Sequence, residues 1–268
     1  MVRFCFLLFS PLLFSFDQPL PEKKLYRLEA RSIKASFKTA IIIPCHWNHF
    51  KFLFPLLEDH CNQSILPDEI VISLSEADKV LDSDLTSLKN HPWPFELNLI
   101  CTNEKKSAGE NRQIASDASS SDLLICIDAD DLPHNQRIEI IKEIFENYCV
   151  DVLYHCFYKE DISFTPRNKK ARYIHRYQDL LQNITLGHVC YLKQVCQKVQ
   201  WPNQLRGEDT IFVEKLLEKI DKVACLLVPL TFYRLEHSSW INRKEFFTEE
   251  EIKHIYSLNL FPPTLSNQ

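Results

Sequence analysis

Glycine is almost absent from this sequence. The 268 residues include three glycines, Gly109, Gly187 and Gly207, about a sixth of ordinary usage. Their positions match neither a GxGxxG nor a GxxxxGK[ST] loop, which excludes the common dinucleotide-binding and P-loop motifs. We expect each of the three to lie where a side chain would obstruct the backbone.

Paired cysteines and excess positive charge are also missing. The ten cysteines include no CxxC pair, so we expect reduced, buried thiols rather than a disulfide framework or a zinc site. A formal net charge of −5 argues against general binding of nucleic acids, whose phosphates reward clustered Lys and Arg. An anionic ligand bridged by a divalent cation is still compatible with this charge, because the cation supplies the positive charge.

A hydrophobic run long enough to span a bilayer is missing as well. Residues 4–16 form a mainly apolar run interrupted by Ser10-Pro11, but a spanning helix needs about 20 residues. The run resembles a signal-peptide core, although no A-x-A-like cleavage site follows it. A signal peptide or anchor, a segment lying on a membrane surface, and an element packed on the body all stay open. We expect a cytoplasmic protein, with peripheral membrane contact through residues 4–16 as an alternative.

The first half of the sequence alternates apolar β-branched runs with helical patterns. Strands are predicted at Thr39–Ile43 (ended by Pro44), Glu69–Leu74, Phe95–Cys101 and Leu123–Ile127. Helices are predicted from about Asn48 to Cys61, interrupted at Pro55, and from a cap near Ser107 to Ala118. The alternation indicates an α/β fold with a mostly parallel, Rossmann-like sheet flanked by helices.

The second half has a mixed pattern and predicts a smaller, mixed half of the fold. Its predicted elements are a helix with Ile138, Ile141, Phe145 and Tyr148 on one face, a strand at Val152–Phe157, an apolar run at His188–Leu192, a helix over Phe212–Ile220 and a strand pair over Val223–Arg234. We therefore divide the chain into an apolar segment and linker (1–38), one domain with halves 39–135 and 136–240, and a tail (241–268).

Three carboxylates, Asp128, Asp130 and Asp131, follow the fourth predicted strand and are called the acidic cluster below. In open parallel sheets, ligands bind beyond the carboxyl ends of the strands. Crowded carboxylates raise one another's pKa unless a cation neutralises them. Their oxygen atoms suit Mg²⁺ or Mn²⁺, which leave positions free for substrate phosphates. The cluster therefore predicts a divalent cation that binds a diphosphate, with a solvated surface turn as the alternative.

Several short motifs, in this order and spacing, resemble family 2 glycosyltransferases of the GT-A fold. They are Ile41–Asn48, Gln63, Pro67–Ile72, Asn111-Arg112, Ile127–Asp131, Gly207–Asp209 and Tyr233–Ser239. Each motif is weak alone, and together they extend over about three quarters of the chain. The resemblance implies a GT-A fold in which residues 39–135 bind a nucleotide sugar and residues 136–240 bind the acceptor.

The resemblance also implies roles for individual residues. Asp209, or less favourably Glu208, is expected to be the base that deprotonates an acceptor hydroxyl; a helix N-terminus is the alternative interpretation of this pair. The expected contacts to the nucleotide-sugar donor are Pro44, Cys45, Glu76, Arg112, Asp128 and Asp130. The expected ligands of Mn²⁺ or Mg²⁺ are Asp130, Asp128 and His237.

Two stretches depart from the family's pattern. The second strand ends in Ser73 and Ser75 where an aspartate is usual, which leaves Glu76 as the nearest acid. Gln113 and Ala115 stand where Asn and Gly are usual, so this segment is expected to be built differently.

The resemblance implies a metal-dependent, inverting transferase that moves a sugar from a nucleotide-diphosphate donor, with a UDP-sugar favoured, to a hydroxyl of a glycan or lipid-linked acceptor. The alternatives are a sugar-phosphate nucleotidyltransferase, whose usual glycine-rich loop is missing, and a non-catalytic relative that binds a sugar nucleotide.

Overall fold

The first four strands form a parallel sheet in which β1 is central. The computed structural model describes residues 28–158, 171–174, 184 and 186–232. Strands β1 (Thr39–His46), β2 (Glu69–Ser75), β3 (Glu96–Thr102) and β4 (Leu123–Cys126) lie in the order β3-β2-β1-β4. All residues of β2 and β4 are buried, which explains their uninterrupted apolar sequence. The predicted parallel sheet is confirmed.

Three helices connect these strands. They are α1 (Leu53–Cys61), α2 (Asp82–Asn90) and α3 (Ala108–Ala118). The predicted cap of α3 is confirmed as a capping box, in which the Ser107 hydroxyl accepts from the Glu110 amide at 3.2 Å and the Glu110 carboxylate accepts from the Ser107 amide at 2.8 Å.

Two predicted boundaries around β1 are wrong. The strand continues through Pro44 to His46, because beyond Ile42 it pairs with β2 alone and a residue without an amide hydrogen is tolerated there. The predicted helix from Asn48 is instead a 3₁₀ turn (Trp47–Phe52) followed by α1. Pro55 lies in the first turn of α1, where backbone amides need no partner within the helix.

The sheet continues into a mixed half. Its elements are β5 (Leu132–Pro133), α4 (Arg137–Asn147), β6 (Val152–Tyr158), β7 (Ala171–Tyr173), β8 (Cys190–Leu192), α5 (Glu208–Lys219) and β9 (Val223–Phe232). Strand β8 is antiparallel to β4 and β6, and β9 is parallel to β6 but antiparallel to β5 and β7. The predicted mixed half is confirmed, whereas the predicted strand pair at Val223–Arg234 is a single strand through Phe232.

Two hydrophobic clusters cover the two faces of the sheet. Helices α1, α2 and α4 contribute to one cluster, and α3 and α5 contribute to the other. The nine cysteines in the described ranges are free; five are buried as expected, whereas Cys61, Cys149 and Cys196 are partly exposed and Cys101 is exposed. No helix within those ranges combines the length and the apolar character that crossing a membrane requires.

Candidate active site

The acidic cluster lies just beyond the carboxyl end of β4, where the parallel half of the sheet meets β8. Its three side chains differ in exposure: 29% for Asp128, 16% for Asp130 and 2% for Asp131. The cluster is therefore a partly enclosed site and not a solvated turn. The three carboxylates have different surroundings.

Asp128 is paired with a buried arginine from α3. Its Oδ1 atom lies 2.6 Å from Nη2 of Arg112, and Nη1 of the same guanidinium lies 3.0 Å from Oε1 of Glu208 on α5. Burial alone would raise the pKa of Asp128, but Arg112 and His188 outweigh it and hold that pKa well below its ordinary value. Arg112 is 3% exposed, so it forms a buried bridge between Asp128 and α5.

Asp131 is paired with His188, a fully buried residue just before β8. His188 Nε2 lies 2.8 Å from Asp131 Oδ2 and 3.6 Å from Asp128 Oδ2. Burial opposes the charged imidazole, but the hydrogen bonds to Asp128 and Asp131 raise the pKa of His188. Asp131 thus has a basic side chain of the protein as its partner, at ion-pair distance.

Asp130 has no such partner within the described ranges. Its ion pair there is with His49, whose Nδ1 atom lies 3.9 Å from Asp130 Oδ2. Burial, followed by the charges of Asp131 and Asp128, raises the pKa of Asp130 to about 6. Asp130 is therefore the carboxylate of the cluster whose negative charge the described residues leave least balanced.

Two acids of the cluster and His188 together offer a candidate donor set for a divalent cation. One ligand atom each from Asp128, Asp131 and His188 lie within 4.8 Å of one another. The predicted ligands were Asp130, Asp128 and His237, of which His237 lies outside the described residues. Carboxylate oxygens fit Mg²⁺ or Mn²⁺, and a neutral imidazole is also an acceptable ligand for the latter.

The predicted donor contacts Pro44 and Cys45 lie inside β1, and both are buried. The carbonyl of Cys45 accepts from Nδ2 of Asn111 and from Oγ of Ser75, both at 3.4 Å. Asn111 also accepts from Oγ of Ser73 at 3.0 Å. Asn111 Nδ2 also donates to Oγ of Ser75 at 3.2 Å, so one asparagine of α3 bridges the two serines that stand where the family has an aspartate.

Glu76 lies immediately after β2, on the same edge of the sheet as the end of β1. Its φ of 54° is in the left-handed region, and its carboxylate accepts from Lys79 and from His46 Nε2. The hydrogen bonds from Lys79 and His46 lower the pKa of Glu76. The structure therefore brings this acid to the carboxyl end of β2, where it lies against the last residue of β1.

Glu208 and Asp209 open helix α5 but differ in their contacts. Gly207, with a φ of +70°, is the N-cap residue, so neither acid has the capping role. Glu208 is bound to Arg112, whereas Asp209 is half-buried and its Oδ1 accepts from the Thr210 amide at 2.7 Å. Of the two candidate bases, Asp209 has no basic partner within the described ranges.

The three glycines all surround this site. A Cβ atom on Gly187 would lie 2.6 Å from Arg112 Nη2, and one on Gly109 would lie 2.5 Å from the Pro202 carbonyl oxygen. Gly207 has open space around it but a positive φ. The expected obstruction is confirmed at the first two positions, and a backbone conformation explains the third.

The family 2 glycosyl transferase model matches residues 40–197, more than half of the 268 residues. The chain belongs to glycosyl transferase family 2. Its glycosyltransferase domain thus includes the acidic cluster, Arg112 and His188. Comparison with curated proteins found no match.

Solved structures similar to this family 2 domain include S. aureus TarS 1–349 in complex with UDP-GlcNAc. It has 17% identity and a TM-score of 0.57 and covers 81% of this chain and 64% of that one. The TarS 1–349 complex with UDP has 17% identity, a TM-score of 0.57, and coverages of 73% and 60%.

Mannosyltransferase PcManGT from Pyrobaculum calidifontis, in complex with GDP-Man and Mn²⁺, has 12% identity, a TM-score of 0.54, and coverages of 77% and 59%. These similarities show that the fold is GT-A. The chain spans 60% of the TarS 1–349 chain.

Sequence reasoning missed His188 and Trp201. In the sequence His188 is part of an apolar run. The one signal that could have identified it is its position next to Gly187, one of three glycines in the chain. Trp201 packs against Arg112, with the guanidinium carbon 4.8 Å from the ring centroid. Its backbone amide donates to Gln113 Oε1 at 2.9 Å, which gives a structural role to the unusual glutamine.

Proposed function

We propose that this protein transfers a sugar from a nucleotide-diphosphate donor to a hydroxyl of a glycan or lipid-linked acceptor, with a divalent metal ion and with inversion at the anomeric carbon. The observation that carries the proposal is Asp130. It is a partly exposed acid between two compensated acids, and within the described residues its ion pair is a histidine at 3.9 Å.

The metal is assigned to Asp130, with Asp128 and His237 as the further predicted ligands. Asp131 and His188 already bind each other, so their role is to hold the cluster together. When bound, Mn²⁺ or Mg²⁺ neutralises negative charge on the leaving diphosphate. Asp128 keeps one carboxylate oxygen on Arg112 and is exposed enough to contact the donor.

Asp209 is the proposed base. It accepts the proton of the acceptor hydroxyl while that oxygen bonds to the anomeric carbon and the bond from this carbon to the diphosphate breaks on the opposite face. Glu208 is the weaker candidate because its carboxylate is bound to the Arg112 guanidinium.

The donor is a nucleoside diphosphate sugar, and a UDP-sugar is favoured. The TarS structures with UDP and UDP-GlcNAc, and PcManGT with GDP-Man, support this donor class. Glu76 is proposed to face the nucleobase from the end of β2. Pro44 and Cys45 are proposed to contact the donor through their backbone, because both side chains are buried.

A donor panel tests this function. The wild-type protein is incubated with UDP-, GDP- and dTDP-sugars, with and without Mn²⁺, and donor binding and hydrolysis are measured. We expect metal-dependent binding of one donor class. Asp130→Ala should abolish this binding. Asp209→Asn should keep it and reduce transfer by about 10³-fold.

Failure of a folded protein to bind or hydrolyse any donor would refute the proposal. Equal metal-dependent donor binding in the two variants would refute the assigned roles. Donor binding without turnover on any acceptor would instead identify a non-catalytic relative that binds a sugar nucleotide.

A further inference from the structure

Arg112 connects two elements that sequence reasoning treated separately. Its Nη2 atom lies 2.6 Å from Asp128 beyond β4, and its Nη1 atom lies 3.0 Å from Glu208 in the first turn of α5. The side chain is 3% exposed. A planar guanidinium fixes the directions of its two terminal nitrogens, so it also fixes the separation of the two carboxylates that it binds.

The segment leading into α5 is held by the same face of α3. Gly109 lets the Pro202 carbonyl approach α3, and a Cβ there would also lie 3.2 Å from Cγ of Glu208. One helical turn further on, Gln113 accepts from the Trp201 amide at 2.9 Å. The Trp201 ring stacks on Phe212 of α5, with centroids 3.8 Å apart and an interplanar angle of 8°. Helix α3 thus contacts α5 through its entry segment and through Glu208.

We propose that Arg112 is a positioning residue that fixes the start of α5, and with it Asp209, relative to Asp128. This inference rests on the proposed function, because Asp209 matters through its role as base. It replaces the sequence-based role of Arg112 as a donor contact, since a 3% exposed side chain with both terminal nitrogens on carboxylates has no group directed at a donor. Glu208 then attaches the start of α5 to Arg112, and this contact fixes the position of the adjacent Asp209.

Glu208→Gln tests this contact, with Glu214→Gln as the matched control because Glu214 is an exposed residue of the same helix. We expect Glu208→Gln to lower kcat at least tenfold while the donor dissociation constant stays within threefold of wild type. Glu214→Gln should keep the wild-type kcat and the wild-type donor dissociation constant. A residue with only a structural role would lower the melting temperature and leave the kcat of the folded enzyme unchanged.

Arg112→Lys tests the guanidinium, because lysine keeps the charge but cannot hold two carboxylates in fixed directions. If Arg112 acts on α5 through Glu208, the double variant Arg112→Lys, Glu208→Gln should lose no more kcat than the more damaging single variant. If the fold-loss of kcat in the double variant instead equals the product of the two single losses, the proposal is overturned. A wild-type kcat in Glu208→Gln would also overturn it.

If Glu208 were the base itself, Glu208→Gln would lose the acidic limb of the pH–kcat profile, in which kcat falls as the catalytic carboxylate is protonated. That result would overturn the proposal.

A measurement that does not depend on activity separates this inference from the proposed function. In Glu208→Gln, the Ile211 amide, which donates to the Gly207 carbonyl at 3.1 Å and closes the first turn of α5, should exchange with deuterium at least tenfold faster than in Glu214→Gln. Equal exchange in the two variants contradicts the inference, whereas an inactive wild type with every donor contradicts the proposed function.

Discussion

The acidic cluster divides into two regions that the protein treats in opposite ways. Asp128 and Asp131 each face a buried basic side chain of the protein, Arg112 at 2.6 Å and His188 at 2.8 Å. Asp130 lies between them in the sequence, and its pKa is raised to about 6. The compensated acids therefore stabilise the fold of the site, whereas the uncompensated acid costs stability until a ligand supplies positive charge.

The largest effect should follow removal of the basic partner of Asp131. His188→Gln leaves Asp131 buried without its charge partner, and we expect a loss of about 3 kcal/mol in the free energy of unfolding, measured in urea at pH 6. Because folding raises the pKa of His188, its contribution is full below the unfolded value of about 6.5 and is lost as the pH rises through the folded value.

The double variant His188→Gln, Asp131→Asn is the control, and it should recover most of the lost stability because no buried charge is left unpaired. An unchanged stability in His188→Gln would show that the pair is not compensated as described.

A substitution of Asp130, the uncompensated acid, is expected to raise the free energy of unfolding rather than lower it. Without metal, Asp130→Asn should raise the free energy of unfolding at pH 7.5 by up to about 3 kcal/mol. The folded pKa of Asp130 lies above its ordinary value of 3.8, so its ionisation penalty is full above about pH 6 and disappears as the pH falls towards 4. The gain of the variant should therefore vanish near pH 4 in denaturant titrations. A destabilised variant at neutral pH would contradict the comparison.

A smaller effect is expected at Gly187. In Gly187→Ala, a Cβ atom 2.6 Å from Arg112 Nη2 has to push the guanidinium away from Asp128, at a cost of about 2 kcal/mol. Gly207→Ala is a matched substitution that meets no atom within 4 Å and strains only the backbone, by about 1 kcal/mol. Thermal denaturation of both variants measures the difference, and equal losses would show that Arg112 is not tightly held.

The smallest effect is expected at His49. His49→Gln removes a half-buried side chain whose ion pair with Asp130 is 3.9 Å long, so the free energy of unfolding should change by less than about 1 kcal/mol. A loss as large as that of His188→Gln would place Asp130 among the compensated acids.

The parallel half of the fold was predictable because its strands are buried on both faces. Residues such as Ile41–Ile43 and Glu69–Leu74 therefore form continuous runs, and the Ser107–Glu110 spacing marks the start of α3. Helix α2 was not predicted, because Leu88 is its one buried residue and its sequence carries almost no apolar stripe.

The acidic cluster was predictable as a site, but its internal division was not. Asp128 and Asp131 acquire different partners through contacts with Arg112, 16 residues before Asp128, and with His188, 60 residues after it. Such pairings depend on the tertiary packing of α3 and β8 against β4, and no local pattern encodes them. The glutamine at position 113, where the family usually has Asn, could not be explained from the sequence for the same reason. Its side chain binds the backbone of Trp201, which is distant along the chain.

The most direct test of the central claim compares Asp130→Asn with Asp131→Asn, measuring Mn²⁺-dependent UDP binding by calorimetry together with stability in urea. Asp130→Asn should be more stable than wild type without metal and should lose the Mn²⁺-dependent binding. Asp131→Asn should be less stable and should keep that binding once folded. The reverse pattern, with metal-dependent binding lost in Asp131→Asn and kept in Asp130→Asn, would contradict the account and place the metal on Asp128, Asp131 and His188.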